Sequence, residues 1–189
     1  MIGAVAILDA CVLYPAALRD FLMTLAVSKL FRARWTEDIH DEWTRHLLAN
    51  HPQVTPGNLQ RTRDVMNVAI PDCLVTGHEK LIDSLSLPDP DDRHVLAAAI
   101  KGGAKFIVTN NLKDFPAKVL VSHGIAAIAP DEFVMRMVEA RPLAVIEAAR
   151  TQRARLRKPP MNVTDFLRSL EKQGLRKTVV FLRTHFDQI

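Results

Sequence analysis

At 189 residues, 48% hydrophobic and 24% charged, the chain has the size and balance of one globular domain, or of a domain with an appendage. The apolar N-terminal run has no Lys or Arg ahead of it and is broken by Asp9, which argues against a secretory leader, and no apolar stretch is long enough to span a bilayer. Its two cysteines, Cys11 and Cys73, suit free thiols better than a disulfide framework, so the expectation is a cytoplasmic protein with a formal net charge of +4.

In chain order, residues 4–8 (AVAIL) form a short continuous apolar run that suits a buried parallel strand, closed by Asp9. Leu18, Phe21, Leu22, Leu25 and Ala26 then share one face of a helix. Residues 34–36 offer a second short strand. Thr36 caps the next helix, whose apolar stripe is Ile39, Trp43 and Leu47 with Leu48 beside it. Pro52 and Pro56 force a break, after which helix resumes over residues 59–69 and stops at Pro71. Residues 73–76 are a weak strand candidate, and a helical turn at 80–85 leads into DPDDRHVLAAA at 89–99. The helix opened there ends at the Gly102-Gly103 pair. Residues 105–109 (KFIVT) are a clear strand and residues 126–129 another. Strands alternating with helices predict an α/β fold, a parallel sheet covered on both faces, with its ligand crevice outside the carboxyl ends of the strands.

Beyond Pro130 the pattern is helical only, over residues 131–140, 142–158, 163–173 and 177–185. This predicts two parts, 1–130 and a helical C-terminal appendage over 131–189. The appendage holds 12 Lys and Arg against 7 Asp and Glu, whereas the first 130 residues hold 13 against 14. Such asymmetry suggests an anionic partner, nucleic acid first. Arg150, Arg153 and Arg157 fall at i, i+3 and i+7, one face of a continuous helix, with Arg155 and Lys158 nearby.

Asp89, Asp91 and Asp92 crowd one turn. Helix capping requires one of them, two at most. Asp9 stands at a strand end, Asn111 and Asp114 follow KFIVT, and Glu42 lies on the margin of a buried helix face. Strand ends and helix starts border the crevice of a parallel sheet, and acids gathered there repel unless hard cations such as Mg²⁺ or Mn²⁺ are bound. Two such ions about 4 Å apart can activate water and stabilise the leaving oxygen in phosphodiester cleavage. Each acid alone has an ordinary reading as a strand stop, a solvated residue or a cap. Those readings predict no common location.

The segments AILDACVLYP, WTEDIHDEW and DPDDRHVLAAAIKGGAKFIVTNNLKDFP resemble the PIN-domain ribonucleases, in particular the VapC-type toxins of bacterial toxin–antitoxin pairs. The resemblance runs over residues 2–130 and is most specific over 89–116; the basic extension is similar to one carried by a subset of VapC-like proteins. It implies a PIN-like parallel sheet sandwiched by helices and a Mg²⁺- or Mn²⁺-dependent endoribonuclease in which water attacks, leaving 5′-phosphate and 3′-hydroxyl ends. It further implies an RNA substrate, a cognate antitoxin and, typically of the family, a homodimer. The family's first three acids fall on Asp9, Glu42 and Asp92. The fourth position is held by Asn111, a departure that removes one charge, and Asp114 three residues on is the expected substitute. On this reading Asp9, Asp92 and Asn111 or Asp114 hold metal, Glu42 and Asp114 join the catalytic set, and Thr109 supports it, with Asp91 or Asp89 as the cap or a supporting partner. Arg93 would tether an acid or a phosphate, while His94 reads as a packed or surface helix residue rather than a ligand.

The missing charge at Asn111 motivates the competing reading of a catalytically weak PIN-like module that binds RNA or protein. Other classes fall away. A haloacid-dehalogenase-like phosphatase wants a second Asp where Cys11 stands, no G-x-G-x-x-G follows the first strand, and no H-x-x-x-H pair exists for zinc.

Overall fold

The computed structural model describes residues 2–157 and 159–189, so Lys158 of the basic cluster lies outside the described residues. The first half runs β1 (Val5–Leu8), α1 (Ala10–Leu13), α2 (Ala16–Val27), β2 (Arg32–Arg34), α3 (Glu37–Asn50), α4 (Pro56–Ala69) and α5 (Glu79–Ile82). It continues with α6 (Arg93–Lys101), β3 (Phe106–Val108), α7 (Ala117–Leu120) and β4 (Ala126–Ile128), then α8 (Pro130–Ala140), α9 (Pro142–Arg155), α10 (Val163–Lys172) and α11 (Arg176–Arg183). The four strands make one parallel sheet in the order β2-β1-β3-β4, with Ile7 level with Arg34 and Ile107, and Ile107 level with Ala127. Ala6, Ile7 and Leu8 are wholly buried, as a central strand with both faces covered demands. The chain is α/β, as its alternation predicts. All four strands run the same way, so their carboxyl ends open on one edge, where Asp9 and Thr109 lie.

Local chemistry moves several boundaries. The second strand is Arg32–Arg34 rather than 34–36, because Trp35 bridges Leu74 and Thr36 is already the cap of α3, accepting from the Ile39 N–H at 3.1 Å. That bridge is all that forms of the candidate strand at 73–76. Helix α4 starts at Pro56, earlier than residue 59, since Thr55 caps it and Pro fits the first turn. Leu48 lies off the buried stripe of α3, 37% exposed. At the end of α6, Gly103 takes φ +63, and a Cβ on Gly102 would come within 2.9 Å of the Ala98 carbonyl oxygen, so both positions require glycine.

Helix α3 is seated by a buried polar chain. Trp43 Nε1–H donates to His40 Nδ1 at 3.0 Å, and Asn67 Oδ1 on α4 lies 3.1 Å from His40 Nε2 and 2.9 Å from the donor Trp35 Nε1. Because Nδ1 accepts, the ring is neutral with its proton on Nε2, and burial, foremost, pulls its pKa below the ordinary imidazole value. A histidine lowered in the folded state binds its proton more readily when unfolded, so its contribution to stability is present at neutral pH and lost as pH falls below about 6.5. We expect urea midpoints to drop between about pH 7.5 and 5. Trp43→Phe, which frees Nδ1, should lower the plateau and flatten that slope.

The C-terminal helices complete the same core. Phe133 of α8 is fully buried, edge-on to Phe31 at 4.9 Å and to Phe106 at 5.8 Å, and one hydrophobic cluster runs from Ala6 to Ile189. Helix α9 lies on α2, with Gln152 Nε2 donating to the Ala17 carbonyl at 3.0 Å. Asp131 at the start of α8 caps α11 from a distance, accepting from the Lys177 N–H at 2.8 Å, the Thr178 N–H at 2.9 Å and the Thr178 hydroxyl at 2.7 Å. Asp131→Ala should therefore cost roughly 1–2 kcal/mol in a denaturation experiment. Among the described residues no helix is long and apolar enough to cross a membrane.

Candidate active site

Why the aspartates crowd at 89–92 is answered by what each does. Asp89 accepts from the Asp91 N–H at 2.9 Å and so caps the single 3₁₀ turn Pro90–Asp92. Asp92 holds the capping position of α6 yet makes no capping bond. Its Oδ2 is buried without a hydrogen-bond partner among the described residues. Capping accounts for Asp89 and leaves Asp92 aimed elsewhere.

It is aimed at other acids. Ligand oxygens of Asp89, Asp92 and Asp114 lie within 4.8 Å of one another. Burial first, then the charges of Asp9, Asp89, Asp114 and Glu42, push the Asp92 carboxyl up to about 7. Five carboxylates from four separate stretches of chain thus act on one spot. Among the described residues no Lys or Arg forms an ion pair with Asp9, Asp89, Asp92 or Asp114. Arg93 is turned away, its Nε donating to the Pro90 carbonyl at 2.9 Å.

The crevice floor is held rigidly. Asp9, 4% exposed at the end of β1, accepts on Oδ2 from the Thr109 hydroxyl at 2.6 Å and from the Cys11 thiol at 3.0 Å. Burial raises the Asp9 pKa, those two bonds oppose the rise and the charge of Glu42 adds to it. Cys11 remains a thiol, pushed up to about 12 by burial and by Asp9. Thr109 in turn accepts from the Asn111 N–H at 2.9 Å, and the Asn111 side-chain amide donates to Asp114 Oδ2. Asn111 therefore turns its donor, not its oxygen, toward the acids and orients Asp114, which is nine-tenths buried.

Glu42, half-buried on α3, has Oε2 3.4 Å from His94 Nε2 on α6. Burial lowers the His94 pKa, but the contact with Glu42 and the fields of Glu42, Asp38 and Asp9 outweigh it, so the net shift is upward.

The structure thus brings Asp9, Glu42, Asp92 and Asp114 together, with Thr109 and Asn111 bracing them. The exposed Asp91 contributes its N–H to Asp89 and lies outside the carboxylate trio; Asp89 takes the place expected of it. Sequence reasoning offered Asp89, with Asp91, only as a cap or supporting partner, and missed the contacts of Cys11 and His94. Each meets its partner through a turn or a tertiary contact that no local pattern announces.

The basic residues are dispersed. Arg157 does not continue the face of Arg150 and Arg153, because α9 ends at Arg155 ahead of Pro159-Pro160, and Arg157 instead bridges Pro160. Arg153 is engaged internally, donating to the Ile189 carbonyl at 2.9 Å and the Met161 carbonyl at 3.3 Å. Arg150 is exposed, 3.6 Å from Glu147.

Residues 5–113 match the PIN domain family, which is more than half of the chain. The chain is a PIN-domain protein. Residues 130–184 match the VapC50 C-terminal domain, so the basic extension of this PIN-domain protein has a family of its own. Among curated proteins, the "Putative ribonuclease VapC50" of Mycobacterium tuberculosis (strain ATCC 25618 / H37Rv) is 48% identical over 48 residues, 25% of this chain and 28% of the relative. The match spans about a quarter of either protein. No solved structure matches the chain significantly.

Proposed function

We propose that this PIN-domain protein is a Mg²⁺- or Mn²⁺-dependent endoribonuclease, the toxin of a toxin–antitoxin pair, with residues 1–130 carrying the chemistry and 131–189 completing the core and offering basic surface. The observation that carries this reading is Asp92. Its buried, unpartnered oxygen points among carboxylates that have no cationic partner in the described chain, an arrangement that suits a hard divalent ion. Asp9, Asp92 and Asp114 would hold it, Asp89 adding charge and Asn111 holding Asp114 in place. When bound, the ion supplies Lewis acidity toward a phosphodiester oxygen.

The chain's own groups do the rest. Thr109 and Cys11 fix one oxygen of Asp9 and leave the other to the crevice. Glu42, partly exposed on the crevice flank and outside the Asp89, Asp92 and Asp114 trio, is the group assigned to take the proton of an attacking water. Water rather than the 2′-hydroxyl as nucleophile yields 5′-phosphate ends. A relative carrying the ribonuclease name supports the substrate class. An antitoxin and a homodimer belong to the proposal through the VapC likeness, and cytoplasmic residence follows from an RNA target.

Total RNA incubated with purified protein in Mg²⁺, Mn²⁺ or EDTA tests this. Discrete cuts with 5′-phosphate ends, absent in EDTA and in Asp9→Ala, are expected; cyclic 2′,3′-phosphate ends would refute it. RNA bound but uncut in either metal favours the binding module. For the extension, Arg150→Ala should reduce the salt slope of RNA binding by up to about one unit. Arg153→Ala should lower thermal stability and leave the slope nearly unchanged.

A further inference from the structure

Helix α3 presents two acids one turn apart, Asp38 and Glu42, and each meets an imidazole from a different element. His78, ahead of α5 and 2% exposed, has Nε2 2.9 Å from Asp38 Oδ2. His94, on the first turn of α6, has Nε2 3.4 Å from Glu42 Oε2. The first pair ties down the start of α3. The second bears on the chemistry.

We propose that His94 is a positioning residue, holding the Glu42 carboxylate over the acid crevice through its Nε2–H. The proposal rests on the nuclease reading above.

Three observations carry it. The His94 side chain is only 16% exposed, and its Nδ1 is buried without a partner among the described residues, so that nitrogen reaches neither solvent nor substrate. Among the described residues the ring's one polar contact is Glu42, and whatever it does passes through that carboxylate. Second, Glu42 is repelled by the acids it must join: its charge, with three aspartates, bears on Asp92. A flexible Glu on a helix flank, 29% exposed, relieves such repulsion by swinging into solvent unless a donor holds it. Third, His94 lies two residues after Asp92 on the same turn of chain. The turn that delivers one acid therefore also bears on the position of another arriving on α3.

The test uses the full chain and two replacements of similar size. His94→Gln keeps an N–H donor near the position of Nε2, and His94→Met fills the volume with no donor. On a short RNA spanning a mapped cut, His94→Met should lose about 10–100-fold in kcat, the range for removing an orienting partner of a metal-site group, with KM nearly unchanged. His94→Gln should recover most of that loss, and both should melt close to wild type. Equal activity of the Gln and Met variants would overturn the proposal, as would losses that follow the melting temperature.

A second readout needs no activity. In nitrogen-15 spectra of the metal-free protein, His94 should carry a slowly exchanging proton on Nε2 that Glu42→Ala releases to fast exchange. A ring without a proton on Nε2, or one indifferent to Glu42→Ala, overturns the proposal even in an active enzyme. An inactive wild type overturns the nuclease reading and the catalytic consequence of the contact, leaving the spectra to report the contact itself.

Discussion

On the proposed reading, Asp92→Asn should abolish RNA cleavage while leaving the metal-free protein more stable than wild type. The loss is roughly a thousandfold or more, the several kcal/mol that a bound cation contributes at a phosphoryl transition state. The gain has the same origin. Asp92 carries a buried oxygen unpartnered among the described residues and is pushed up to about 7 by burial and by four neighbouring acids. An acid raised in the folded state costs stability once pH exceeds its unfolded value, and the cost is full above its folded value. Because the carboxyl is about half exposed, solvent screening reduces the gain on neutralising it to about 1 kcal/mol, or about 2–4 °C in melting temperature near pH 8 in EDTA. In excess Mg²⁺ the order should reverse, since the proposed site binds the ion more tightly in wild type and so gains more stability from it. An aspartate kept for capping would behave otherwise, losing stability in both buffers with little effect on cleavage.

Phe133→Ala destabilises the whole molecule, by about 3–5 kcal/mol. Phe133 is wholly buried, and its ring contacts Phe31 beside β2 and Phe106 of β3, so it joins the C-terminal helices to the sheet. Truncation leaves a cavity at that junction, between the rings of Phe31 and Phe106. Chemical denaturation should show one transition displaced to lower denaturant, with fluorescence and circular dichroism in step. Val180→Ala, at a site 61% exposed, should move it by less than about 0.5 kcal/mol. The same packing means that a chain cut near Pro130 uncovers Phe31 and Phe106, so the extension is best dissected by substitution.

Much of this architecture is legible in local pattern, and the exceptions share a cause. AVAIL and KFIVT announce central strands because both sheet faces are buried, and Gly102-Gly103 announces a helix end because one position is left-handed and the other admits no Cβ. The acids at 9, 42, 92 and 114 are suggested by their places at strand ends and by family likeness. Their convergence on Asp92 is a tertiary fact. Residues 34–36 mislead because Trp35 pairs with Leu74, 39 residues away, and Thr36 serves as a cap. Arg157 misleads because helical spacing persists in the sequence past the point where two prolines stop the helix. His94 reads as packing because its value lies in a single contact with Glu42, more than fifty residues earlier.

The central claim is that the carboxylates gathered at Asp92 hold a divalent cation. Calorimetric titration of Mn²⁺ into wild type and Asp92→Asn tests it without reference to any RNA. Saturable binding to wild type, weakened at least about tenfold in the variant and accompanied by proton release near pH 7, is the predicted result. Equal binding by the two proteins, or none by wild type at millimolar Mn²⁺, would contradict the account.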